Sequence, residues 1–397
     1  MAERRLDREL MRQSNAKLVL MTLLTSKQAT KPMLAEATGI SLMSIGRICD
    51  ELMSDGLIRF TEAPAASTRT GGRPPKYLTM NAERLLCCGV QISGRMLHMG
   101  IVGPLGKVVD KQSHAFPAER DYVPDQVLPW AARLLQGFVA RWRGHGLLSN
   151  IGIVVSGVVD VERGVLQYSA NLHWQQSAIA DAFKQLMPEF NFYLENDTKA
   201  LAVAEYQCGA NAGTSNLTVL SLGDGVGSAA IVNGRLFRAQ SNIAGEIGHI
   251  SLNPGGKVCT CGQTGCLQTY LARNVILNEA QMIHPGITAT ELLSRAERKE
   301  AFASALVQQA LNYACIAINL LANMYAPDVI VLSGSTIWDS PAIRDMIERA
   351  SVKRLHPVLA HSFKLAFDSF GPNAYVIGGA AVAFSKVVES LSFDHVL

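Results

Sequence analysis

The sequence lacks the marks of an exported, membrane-spanning or fibrous chain. Its first ten residues, "MAERRLDREL", are charged and lead into no apolar stretch, so no export signal is expected and the chain is expected in the cytoplasm. No hydrophobic run reaches membrane length uninterrupted. The most apolar region, "ACIAINLLANMYAPDVIVLSG", is broken by Asn319, Asn323, Pro327 and Asp328. It reads as a buried helix followed by a buried strand, and no membrane insertion is expected. No short repeat or low-complexity segment occurs. A large charge of either sign is missing too, since 36 Lys and Arg against 33 Asp and Glu leave +3.

Cysteine is sparse, with eight in 397 residues. Without export, disulfides are not expected, so clustered cysteines read as metal ligands and scattered ones as core. Cys49, Cys87, Cys88, Cys208 and Cys315 are of the second kind. The small net charge hides an uneven distribution. Residues 1–80 hold 12 of the Lys and Arg against 8 of the Asp and Glu, whereas residues 81–397 hold 24 against 25. The positive excess lies in the N-terminal fifth, as an attached nucleic-acid-binding module requires.

Apolar periodicity predicts a helix over residues 14–26, a short one over 31–38 stopped by Gly39, and a third from the Ser41 cap to about Ser54. "LIRF", a basic Gly/Pro-rich stretch and "KYLTM" then read as a hairpin with a loose tip. That order is a winged helix-turn-helix occupying residues 1–80. In the third helix Ile45, Ile48, Cys49 and Leu52 form the buried stripe, leaving Met43, Ser44 and Arg47 to face a major groove. Arg47 offers two donors to a guanine edge, and Lys31 is placed for a phosphate. Arg73, in the "TGGRPPK" tip, suits a narrow minor groove. The alternative use of the same motif is protein contact, with Arg47 merely solvated.

After residue 80, apolar strands alternate with glycine turns and helices, which means an α/β domain. Hairpin-like openings near 86 and 217 predict two related lobes with a cleft between them, residues 81–195 and 196–397. Long helices are predicted near 125–143, 198–209 and 301–324. Within the second lobe "GHISLNPGGKVCTCGQTGC" places His249, Cys259, Cys261 and Cys266 in the spacing H-x9-C-x-C-x4-C. One imidazole and three thiolates favour tetrahedral zinc, and four filled positions make it structural rather than catalytic.

Three segments, "ENDTKALAVAEY", "SLGDGVGSAAIVNGRLFRAQ" and "AGEIGHISLNPGGKVCTCGQTGCLQTY", resemble the ROK family of sugar kinases and sugar-responsive repressors. The resemblance runs from about residue 85 to the C-terminus. With the winged helix in front, the chain is similar to the ROK repressors, the group that includes the glucose and N-acetylglucosamine regulators. It implies an actin-like sugar-kinase fold, with the last helix returning to the first lobe, and a homodimer or homotetramer. It also implies that Asn196, Asp197, Glu246 and His249 contact sugar hydroxyls, His249 ligating zinc as well. Gln268 stands where the kinases usually carry a sugar-binding glutamate. Gly157 lies in the turn that approaches the sugar, after Ser156 in place of the usual proline. Read alone, Asn196 and Asp197 also suit a helix cap, and the two roles are compatible.

The resemblance also measures what is missing for phosphoryl transfer. The family's D-x-G-G-T turn is "QISGR" here, with Gln91 for the aspartate, Ser93 for the first glycine and Arg95 for the threonine, a bulky cation in the phosphate turn. The second phosphate segment keeps Gly223, Gly225 and Gly227 but has Asp224 for a threonine. The expected protein is therefore no enzyme. It is a regulator, a repressor of sugar metabolism, that binds a double-stranded DNA operator and a sugar or sugar-phosphate effector. The alternatives are a sugar kinase fused to a DNA-binding module, and a regulator controlled by a partner protein such as a sugar-transporter component.

Overall fold

The first helix begins well before its apolar stripe does. In the computed structural model, which describes residues 2–63, 75–146, 148–334, 341–352, 355, 357–359 and 362–390, α1 spans Ala2–Ser26. Good helix formers carry it through the early turns. Leu10 and Met11 there are exposed. Thr30 caps α2 (Lys31–Thr38), and Gly39 ends it in the left-handed region. Ser41 accepts the Ser44 amide at the start of α3 (Leu42–Ser54), whose Ile45, Ile48, Cys49 and Leu52 are buried. Strands β1 (Ile58–Thr61) and β2 (Tyr77–Met80) form an antiparallel hairpin. Ala29 exchanges two backbone hydrogen bonds with Leu78, tying the hairpin to the α1–α2 turn.

The first lobe is built on β3 (Cys87–Ser93), β4 (Met96–Val102) and β5 (Val108–Ala115), which form an antiparallel meander. Helix α4 (Pro124–Ala140) precedes β6 (Asn150–Val155), which runs parallel to β3. A small sheet of β7 (Val158–Asp160), β8 (Val165–Ser169) and β9 (Trp174–Ser177) caps the strand ends. Helix α5 (Ile179–Leu186) then leads to β10 (Asn191–Asn196), parallel to β6. The order is β10-β6-β3-β4-β5. Strand β10 runs straight into α6 (Asp197–Cys208).

The second lobe repeats the plan. Strands β11 (Leu217–Leu222), β12 (Val226–Val232) and β13 (Arg235–Leu236) are again an antiparallel meander. Helices α7 (Gln268–Leu271), α8 (Arg273–Ile283), α9 (Ala289–Glu297) and α10 (Ala301–Tyr325) follow. Then β14 (Val329–Ser333) pairs parallel with β11, and, after α11 (Pro341–Val352), β15 (Lys364–Phe367) pairs parallel with β14. Helix α10 is long and apolar enough to cross a membrane. Its Val307, Leu311, Ile318 and Leu321, however, share a core with Leu220, Ile330 and Leu332 of the second sheet.

The last helix, α12 (Ala374–Ser390), lies on the inner face of the first sheet and against α6, while α6 lies on the second sheet. Two helices thus separate the two sheets. Contact with β6 is backbone to backbone: a Cβ on Gly152 would fall 1.9 Å from the Gly379 carbonyl oxygen, so only glycine fits. The winged helix is no separate bead. Leu20, Leu24 and Ile58 belong to one continuous buried cluster with Ala204 and Cys208 of α6 and Ala380 and Phe384 of α12.

Candidate functional site

The N-terminal module presents α3 outward. Met43 is 72% exposed, and Arg47 is exposed one turn further along the same face. Ser44 is half-buried, its hydroxyl 3.0 Å from that of Ser41. Lys31, expected at a phosphate, is engaged elsewhere: its ammonium donates to Asp50 Oδ1 at 2.7 Å and reaches the Gly46 carbonyl at 3.4 Å. The α2–α3 crossing, invisible in local spacing, brings that carboxylate to it. Arg73 lies outside the described residues, as does the wing tip over 64–74.

Between the lobes opens a cleft of about 480 Å³. It brings Gly157, Asn196, Asp197, Glu246, His249 and Gln268 to one place, from positions spread over more than a hundred residues. The β6–β7 turn contributes Gly157 at φ +119, where a Cβ would lie 2.4 Å from the Tyr168 carbonyl oxygen. Asn196 does two jobs. Its Oδ1 accepts the Lys199 amide as the α6 cap, and its Nδ2 donates to the Gly157 carbonyl at 3.0 Å. Gln268 directs Oε1 to the Val226 amide at 3.3 Å, which anchors it across the β11–β12 turn. A volume of this size with convergent polar groups is that of a small-molecule site.

The carboxyls of the cleft are held away from their ordinary chemistry. Burial pushes Asp197 up to about 6, against the hydrogen bonds it accepts from Thr198, and the nearby Glu246 adds to the rise. Glu246 is also raised by burial, with Lys199 and His249 opposing. Beneath them runs a buried network. Lys199 donates to the Asn242 carbonyl, Asn242 Nδ2 donates to Glu195 Oε1 at 3.2 Å, and Arg238 pairs with Glu195. Burial lowers the Lys199 ammonium, while Glu195 and Glu246 hold it up. The loop this network anchors has Ala239, Ser241 and Asn242 at positive φ. Such strain persists only where surrounding contacts over-determine it.

His249, Cys259, Cys261 and Cys266 also converge, their ligand atoms all within 4.8 Å of one another. The loop closes through bridges Ser251↔Cys266 and Val258↔Thr264. Cys261 Sγ and Cys266 Sγ are 3.8 Å apart, and Cys259 Sγ is 3.6 Å from His249 Nδ1. A tetrahedral ion with bonds of about 2.3 Å to sulfur and about 2.0–2.1 Å to nitrogen requires separations of about 3.8 and about 3.6 Å. Those two separations match such an ion, and the four side chains together could hold one.

The expected nucleotide side opens into the same cleft through Gln91, Ser93, Gly94, Gly223 and Asp224. Arg95 does not occupy that turn, contrary to expectation. Its guanidinium donates to the Pro117 and Arg120 carbonyls at 2.7 and 3.0 Å and lies over the Phe116 and Tyr122 rings. A positive φ of 63° at Arg95 turns the side chain outward. Sequence reasoning passed over Asn171, His173, Thr260, Asn274 and Tyr375, which also line the cleft. Tyr375 comes from α12 and shares a 2.7 Å hydrogen bond with Ser221. Of these, Asn171 and His173 lie in the turn between β8 and β9, and Thr260 stands between Cys259 and Cys261.

The family description "ROK family" matches residues 87–386. The xylose repressor of Bacillus spizizenii is 24% identical over 388 residues, covering 96% of this chain and 98% of its own length. A glucokinase of Halalkalibacterium halodurans is 27% identical over 311 residues, covering 73% of this chain and 92% of its own. Among solved structures, a ROK family transcriptional regulator, a homolog of the E. coli MLC protein, superposes with a TM-score of 0.77 at 23% identity, covering 96% of this chain and 97% of that one.

Proposed function

The chain belongs to the ROK family, and on that premise we propose that it is a DNA-binding transcriptional repressor of sugar metabolism whose interlobe cleft takes the effector. One observation carries the reading. A relative that matches 96% of the chain is a repressor, whereas the glucokinase matches 73% of it. The site supports this, since the six expected sugar-contacting positions share one cleft. Ring hydroxyls are met by such carboxylate, amide and imidazole groups through paired hydrogen bonds.

The chemistry proposed for the parts follows from their placement. Met43, Ser44 and Arg47 read base edges. The His249, Cys259, Cys261 and Cys266 set holds a structural zinc, which fixes the wall carrying Glu246 and leaves no open position for a reacting water. A sugar held by Gly157 and Asn196 on one side and by Glu246, His249 and Gln268 on the other favours a closed cleft. A ligand shifts an equilibrium only through such differential binding. Helix α6 bears Asn196 and Asp197 at one end and enters the core shared with α1 at the other, so closure moves the winged helix. The chain has no phosphoryl-transfer activity: Gln91 offers no acid to organise magnesium and Asp224 repels phosphate.

The test has two arms. Selection of bound genomic fragments should return operators whose occupancy changes when a neighbouring pathway's sugar is added. ATP, magnesium and that sugar should give no sugar phosphate above background. Sugar-dependent turnover abolished by Asp197→Asn overturns the reading in favour of a kinase.

A further inference from the structure

We infer that the cleft selects uncharged sugars and rejects their phosphate esters, an inference that rests on the cleft being the effector site. Its lining carries three carboxyls, Asp197, Asp224 and Glu246, beside the imidazoles of His173 and His249 and the Tyr375 hydroxyl, and among the described residues it includes no Lys or Arg. Three cations near lining positions in sequence are engaged elsewhere. Lys199 donates to the Asn242 carbonyl, Arg238 pairs with Glu195, and Arg95 points away to the Pro117 and Arg120 carbonyls. A phosphate ester entering here meets three carboxyls and no ammonium or guanidinium.

Several backbone donors beside the carboxyls are already engaged. A helix N-terminus ordinarily welcomes an anion through its free amides. At the start of α6 two of these are taken, the Lys199 amide by Asn196 Oδ1 and the Thr198 amide by Asp197 Oδ1. In the glycine turn opposite, the Gly223 amide donates to the Gly225 carbonyl and the Val226 amide to Gln268 Oε1. Exposed Asp224 stands in that turn, at the side of the cleft where Ser93 and Gly94 approach. The rest of the lining adds neutral hydroxyls and amides such as Ser156, Asn171, Thr260 and Asn274. Those suit sugar hydroxyls. A cleft walled by protein focuses the field of its own charges, so repulsion acts even at its solvent-facing side. That burial and Glu246 together raise Asp197 to about 6 agrees with a site already crowded with negative charge.

The experiment uses the full chain with its metal bound and calorimetric titration of matched pairs: glucose and glucose 6-phosphate, N-acetylglucosamine and its 6-phosphate, xylose and xylose 5-phosphate. At least one free sugar should bind, and its ester should bind about tenfold or more weaker, with the gap narrowing as salt is raised. Asp224→Asn should narrow that ratio several-fold, and an unchanged ratio overturns the role given to that side chain. An ester that binds as tightly as its parent overturns the charge selection and leaves the effector site standing. If none of the six binds, the sugar-effector reading itself falls, and this inference with it.

Discussion

Asp197 is the residue whose ionisation is placed to matter most. A sugar hydroxyl donates to a carboxylate, so binding favours the ionised form and competes with the proton. The unliganded carboxyl sits at about 6, pushed there first by burial. Effector affinity should therefore be level above pH 6 and fall as pH drops through it, by up to about tenfold per unit. The stability sign is the reverse. A carboxyl raised in the folded state loses stability as pH climbs from its unfolded value towards 6, and nothing further above it. Titrations between pH 5 and 8 with wild type and Asp197→Asn check this, the variant binding more weakly and losing less affinity as the pH falls. Arg47, exposed on α3, is the counterpart on the DNA side. Arg47→Ala should cost about 1–3 kcal/mol on the operator and much less on random duplex if its contact is bidentate to a base. Equal losses on both make it a phosphate contact.

At the scale of elements, the metal loop and α6 have separable duties. Cys261→Ser removes one of four ligands, so metal content should fall and the sugar response weaken while the winged helix stays folded. Glu246→Ala should keep the metal and lose sugar binding, with DNA affinity in the absence of sugar near normal. Metal analysis beside DNA binding with and without sugar distinguishes the two, and a full sugar response in Glu246→Ala places the effector elsewhere. Helix α6 links the cleft to the N-terminal module through Ala204, fully buried in the shared core. Overfilling that position with Ala204→Leu should destabilise by about 1–3 kcal/mol. Sugar affinity should persist, and the effect of sugar on DNA binding should shrink. An unaltered response rules α6 out as the route.

For the whole molecule, the homodimer proposed here makes DNA binding a matter of geometry between copies. One winged helix reads one half-site, and a repressor dimer reads two, about 34–36 Å apart or a multiple of it. Because the module shares buried residues with α6 and α12, rotation of one lobe carries it along. Inserting five base pairs between half-sites, about half a helical turn, should abolish tight binding, and inserting ten should restore much of it. Equal binding to both spacings means that the modules are independently tethered.

What the sequence determined by itself is what short spacing encodes. The helix-turn-helix was legible because Ile45, Ile48, Cys49 and Leu52 recur at helical intervals after a serine cap. The cluster of His249, Cys259, Cys261 and Cys266 was legible because the four side chains fall within eighteen residues. The paired lobes showed in two hairpin openings, and the cleft positions in motifs specific to the family. Tertiary structure alone decided the rest, where the partner lies far along the chain. Asp50 meets Lys31 across a helix crossing, and Arg95 finds its carbonyls more than twenty residues on. Tyr375 reaches the cleft from the last helix. Strand β5, alternating between half-buried and exposed positions, has too weak an apolar pattern to stand out before its neighbour pairs with it. The fusion of the winged helix with α6 and α12 into one core joins residues separated by more than three hundred positions. Local periodicity records which face of an element is buried. What it is buried against depends on how the chain returns, and that is set only when the whole fold closes.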